Sequence, residues 1–126
     1  MSARGLMLVN SVFRLGYGMG ALLSPSAMAA ARMVPDTEER PEDRLFVRGF
    51  GAHQLAVAAV GLGSTRWPRL ERPAILLAVA IDAADMLSAA VETRARGRMD
   101  PDAVGGLALS AAGVATALAA QRLGRA

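Results

Sequence analysis

The chain contains no cysteine, which excludes disulfides, thiolate nucleophiles and zinc sites built on cysteine. Lysine is absent too. All 14 basic side chains are arginine, so Schiff-base chemistry on a lysine amine is excluded. Aromatic residues are only 4% of the chain although apolar residues are 53%. A soluble core of this size draws its buried area from Phe, Leu, Ile and Val. Here Ala and Gly dominate instead. That suits membrane helices, where lipid supplies no hydrophobic drive between helices and small side chains let backbones approach. The formal net charge is +3, but the arginines are spread among connections rather than gathered into a stripe with aromatics. Nucleic acid is therefore not an expected partner.

What the 126 residues do contain is four apolar runs separated by short, charged, proline-containing connections. The runs cover about 5–31, 45–65, 73–91 and 103–121, and each is near the roughly 20 residues that span a bilayer as a helix. Ser24-Pro25 is expected to end or kink the first helix. Pro73 suits the opening of the third, and Asp100-Pro101-Asp102 is a start signal for the fourth. The connections, 32–44, 66–72 and 93–102, are short enough to make sequential helices antiparallel. The expected fold is all-α, a single four-transmembrane-helix domain over 1–126. A soluble helical bundle is the competing reading, since three runs carry internal charges. The fourth run argues against it, with no charge between Ala103 and Gln121 and no polar face at helical period.

Ser26-Ala27-Met28-Ala29 has the small residues of a leader cleavage site, but Arg14 and Asn10 interrupt the apolar stretch a leader needs, so the first helix is expected to be retained. Six arginines fall on the side holding both termini and the second connection (Arg4, Arg66, Arg69, Arg72, Arg122 and Arg125). Six fall on the other (Arg32, Arg40, Arg44, Arg94, Arg96 and Arg98). The positive-inside rule is tied, which also permits dual topology. Acidic residues between Asp36 and Asp43 favour that connection outside and both termini in the cytoplasm.

The chemistry-bearing residues lie inside the apolar runs. Asp82 and Asp85 sit near the middle of the third, where an ionised carboxylate costs roughly 2.5–3.5 kcal/mol on insertion scales. Spaced i and i+3, they share a helix face. Depth along antiparallel helices, at about 1.5 Å per residue, places Asp82 level with Arg14 or His53, and Asp85 near Arg48. Asn10 and Gln54 add amides to the same region. Two roles fit. The set is either a structural ion-pair network or a polar pocket, with Asp82, Asp85 and His53 as acid and base and Arg14, Arg48, Gln54 and Asn10 as binding groups. No metal-ligand spacing, nucleotide fingerprint or hydrolase motif is present, so no cofactor or metal is expected.

Small residues recur at helix spacing: Gly16 with Gly20; Ala80, Ala84 and Ser88; Gly106 with Ser110; and Gly113 with Ala117. Such stripes pack helices within a bundle or between copies. Gly16-Tyr17-Gly18 is echoed by Gly49-Phe50-Gly51, too briefly to define a repeat.

Arg14-Leu15-Gly16 with Ser24-Pro25, then Arg48-Gly49-Phe50-Gly51-Ala52-His53-Gln54-Leu55, then Asp82-Ala83-Ala84-Asp85, resemble small bacterial membrane proteins of the DoxX-like kind and neighbouring families of unknown function. The resemblance implies a four-helix membrane fold. In its second helix that family tends to carry an Arg-Asp pair where this chain has His53-Gln54, so shared site chemistry is not implied. Three functions are compatible with the sequence. The first, favoured by prior, is an accessory or scaffold subunit. The others are a membrane enzyme for a lipophilic small molecule and a proton-coupled transporter acting as a dimer. The expected partners are the lipid bilayer and a second copy or another membrane protein.

Overall fold

The computed structural model describes residues 2–31, 33–34, 41–99 and 101–123. Arg32, Arg40, Asp100 and Arg125, and the acidic residues Asp36, Glu38 and Glu39, lie outside the described residues. The described chain is helical throughout: α1 Ala3–Leu23, α2 Pro25–Ala30, α3 Pro41–Arg66, a 3₁₀ turn Pro68–Leu70, α4 Glu71–Arg96 and α5 Pro101–Leu123. The fold is an all-α bundle of four long helices, each long and apolar enough to cross a membrane.

Three helix boundaries have a local cause. The Ser2 hydroxyl accepts a hydrogen bond from the Gly5 N–H at 3.1 Å and caps α1. Pro25, which has no N–H to donate, opens α2 directly after Ser24, so the first apolar run is a long helix followed by a short one. Gly97 ends α4 in the left-handed region at φ 67°, the backbone state that glycine reaches without a Cβ clash. The helix α4 runs past the apolar stretch at both ends. Its C-terminal extension is supported by a Glu92–Arg96 pair four residues apart.

Around the bundle α1 lies between α3 and α5, and α4 lies between α5 and α3. The pairs α1/α4 and α3/α5 are therefore the diagonals. Contacts such as Gly18 with Gly51 and Arg14 with Gln54 show that α1 and α3 run in opposite directions, as the short connections require.

The interior is built from small side chains. Met7, Val57, Ala74, Ile75, Ala78, Ala117 and Ala120 form one apolar cluster. Ala21, Met28, Val34 and Val47 form another toward the opposite end. Large apolar side chains point outward instead: Leu45 is 77% exposed, Phe46 72% and Leu87 66%. A soluble bundle buries such residues and presents charge to water. This inversion defines a multi-pass membrane protein whose outer surface is lipid-compatible.

Candidate functional site

Between the two apolar clusters lies a polar layer. Arg14 on α1 is buried at 5% exposure, Gln54 on α3 at 5% and Asp82 on α4 at 3%. Each stands within about two residues of the midpoint of its helix, so the layer crosses the bundle at half its height.

Arg14 organises this layer. Its Nε–H donates to Asn10 Oδ1 at 2.7 Å, one turn earlier on the same helix. Its Nη1 donates to Gln54 Oε1 at 2.6 Å. Its Nη2 donates to Asp82 Oδ2, an ion pair buried on both sides. The pair joins α1 to α4 across a diagonal that the helix backbones do not close themselves. A guanidinium offers donors in a fixed planar fork, and three separate acceptors meet it here.

The fourth helix contributes an absence. A Cβ at Gly113 on α5 would stand 2.8 Å from Asp82 Cγ and 3.1 Å from Arg14 Nη2, and it would overlap Asp82 Oδ2. Gly113 is the gap into which the ion pair fits. Its spacing puts Gly113 in a packing stripe with Ala117 and does not connect it to Asp82; its depth on α5, level with Asp82, is the available signal.

Asp85 lies beside this layer with a different partner from the one expected. Its Oδ2 is 3.9 Å from His53 Nε2, beyond hydrogen-bond range. Both atoms are buried and without a hydrogen-bond partner. The depth reading paired Asp85 with Arg48, and the structure corrects it. Arg48 is exposed and lines a surface cleft with Arg44. Depth alone does not fix azimuth: Arg48 precedes Gln54 by six residues, which turns it roughly 240° from the inward face. His53, adjacent to Gln54, stays near that face.

An aromatic series leads from α1 to the histidine. Phe13 and Tyr17 have ring centroids 6.3 Å apart. Tyr17 meets Phe50 edge-on at 5.7 Å, and Phe50 meets His53 edge-on at 4.7 Å. The Tyr17 hydroxyl donates to the Met33 carbonyl at 2.7 Å, tying the segment after α2 back onto α1. Arg14, His53, Asp82 and Asp85 act on one another electrostatically, so the four ionisable groups form one cluster. The expected site residues thus divide. Asn10, Arg14, Gln54 and Asp82 form a closed network, His53 and Asp85 adjoin it, and Arg48 stands apart.

Fold and cluster together define a small membrane protein with a buried Arg–Asp ion pair. Compared with known protein families, curated proteins and solved structures, the chain matches none.

Proposed function

We propose that this chain is an accessory or scaffold subunit of a membrane system, with a central polar layer that fastens its helices together. The carrying observation is that Arg14 and Asp82 are both buried and bound to each other. Arg14 donates to Asn10, Gln54 and Asp82, and α5 closes over the pair at Gly113. A catalytic carboxylate must come within hydrogen-bond reach of the substrate proton it moves; the walls around Asp82 oppose such an approach. The outward small residues Ala80, Ala84 and Ser88 on α4 are exposed and give a membrane-protein partner or a second copy a face for close backbone packing. Membership of a DoxX-like or neighbouring family is part of this proposal and rests on the short motifs quoted above. Both termini are assigned to the cytoplasm on the acidic character of the first connection.

The test is thermal unfolding of the detergent-solubilised chain. Asp82→Asn removes the charge opposite Arg14 and is expected to lower Tm by several degrees or more, since an uncompensated buried charge is costly. An Asp82→Asn protein that keeps the wild-type Tm would remove the structural role.

A second reading is favoured by the unsatisfied His53 Nε2 and Asp85 Oδ2. In this reading the two side chains hold an exchangeable proton, and the protein is a membrane-embedded acid–base enzyme or a proton-coupled transporter. Buried polar atoms without partners are rare and costly, and a proton shared between these two would relieve both. Infrared difference spectra of reconstituted protein between pH 5 and pH 8, the histidine range, distinguish the readings. A carboxyl band that titrates and vanishes in Asp85→Asn supports proton handling, and a spectrum indifferent to that substitution rules it out.

A further inference from the structure

The cleft that holds Arg48 is a separate feature of the molecule, with a volume of about 280 Å³ and a lining of Leu23, Ser24, Pro25, Ser26, Arg44 and Arg48. Its position is set by the break after α1. Ser24 leaves the helical conformation at φ −139° and ψ 61°, and its side chain makes no capping bond to α2, so its hydroxyl remains available to the cleft. On the facing wall Arg44 and Arg48 stand four residues apart, hence on one face of α3, and both are exposed. Arg44 is engaged within the protein as well, which makes Arg48 the principal cation of the cleft.

Depth gives the site its meaning. Leu23 ends the first candidate span and Asp43 begins the second. The cleft therefore opens where the bilayer core gives way to headgroups. Arg48 starts about 7.5 Å further along α3, a depth from which a long side chain reaches back to the interface. Exposed Leu23 lines the same cleft and adds an apolar side chain beside the two arginines. Two arginines at the end of the apolar spans, with an exposed leucine beside them, fit a phosphate that carries an acyl chain.

We propose that this cleft binds a phosphate group, supplied by the headgroup of an anionic membrane lipid. Arg48 is its principal ligand, with Arg44, Ser24 and Ser26 completing the shell.

The test uses the full chain in detergent, exposed to equal amounts of phosphatidylglycerol and phosphatidylcholine, with bound lipid read by native mass spectrometry. Phosphatidylglycerol is expected to be retained over phosphatidylcholine, and the Arg44→Gln/Arg48→Gln variant is expected to lose that preference by about tenfold, or 1.4 kcal/mol. Both side chains are exposed, so the variant is expected to fold; an unchanged Tm checks this. Arg48→Gln alone is expected to account for most of the loss, and Arg48→Lys for less. As a control, Arg69→Gln/Arg72→Gln neutralises charge at the other end of the bundle and is expected to leave retention unchanged. Inorganic phosphate that fails to displace the lipid supports the lipid as occupant. Displacement by inorganic phosphate alone supports the same site with a water-soluble phosphate compound in it. Equal retention by wild type and the Arg44/Arg48 variant, or equal loss in the Arg69/Arg72 control, overturns the proposal.

Discussion

Arg14 is the residue on which the interior depends, because its charge is tolerated only through neighbours on other elements. Removing one member of a buried pair leaves the other uncompensated, at a cost of about 3–5 kcal/mol, whereas replacing both by apolar groups is often close to neutral. Asp82→Leu is therefore expected to destabilise strongly, and Arg14→Leu/Asp82→Leu to recover most of the loss, as measured by denaturant unfolding in detergent. Gly113→Ala offers a test from a third helix, packed against both partners. The added Cβ must displace Asp82, whose short side chain is held by Arg14, so a loss of about 1–3 kcal/mol is expected. Gly106→Ala on the same helix faces open space and is expected to stay within about 0.5 kcal/mol of wild type. Depth narrowed the partner of Asp82 to Arg14 or His53, because all three sit at mid-helix, and the structure pairs it with Arg14. Gly113 was legible in depth but not in role, since a residue whose contribution is missing volume shows its role only against its neighbours.

At the scale of the helix, the informative contact is the crossing of α1 and α3. A Cβ at Gly18 would stand 2.8 Å from the Gly51 carbonyl oxygen, and a Cβ at Gly51 would stand 2.8 Å from the Gly18 carbonyl oxygen. The approach is reciprocal, and the neighbouring Tyr17 and Phe50 rings meet beside it. The short echo between Gly16-Tyr17-Gly18 and Gly49-Phe50-Gly51 thus corresponds to two matching halves of one crossing. The Gly16/Gly20 pattern had pointed to a different face: Gly16 has open space around it, and Gly20 packs on Met28 of α2. Spacing revealed that glycines recur on α1 but not which of them meets a helix, because that depends on the rotation of α1 against α3. The consequence is measurable. Gly18→Ala drives a methyl group into backbone and is expected to cost about 1–3 kcal/mol. Gly16→Ala is expected to be neutral within about 0.5 kcal/mol. Equal effects at the two positions would contradict this crossing.

Over the whole molecule, four antiparallel helices return both ends of the described chain to one side. The absence of native cysteine makes this directly testable with single introduced thiols at the exposed positions Ser2, Met33, Trp67 and Met99. In sealed vesicles a membrane-impermeant maleimide is expected to label Ser2→Cys and Trp67→Cys from one side, and Met33→Cys and Met99→Cys from the other. Labelling of every site from both sides would establish dual topology, which the arginine tie permits. The helical, apolar architecture was readable from composition and run length because each of the four long helices satisfies its own backbone in lipid. The order of helices around the bundle was not, since short connections fix sequential neighbours but leave α1 free to pack on either later helix. That order has a consequence for biogenesis. Arg14 finds Asn10 four residues away, Gln54 forty residues away and Asp82 sixty-eight residues away. At about 5–20 residues per second of synthesis, the arginine waits roughly 3–14 s between its own translation and that of its carboxylate. It acquires its partners in chain order, first an amide on its own helix, then one on the next long helix, and finally the opposing charge. Completion of α4 is thus the moment at which α1 becomes electrically settled in the membrane.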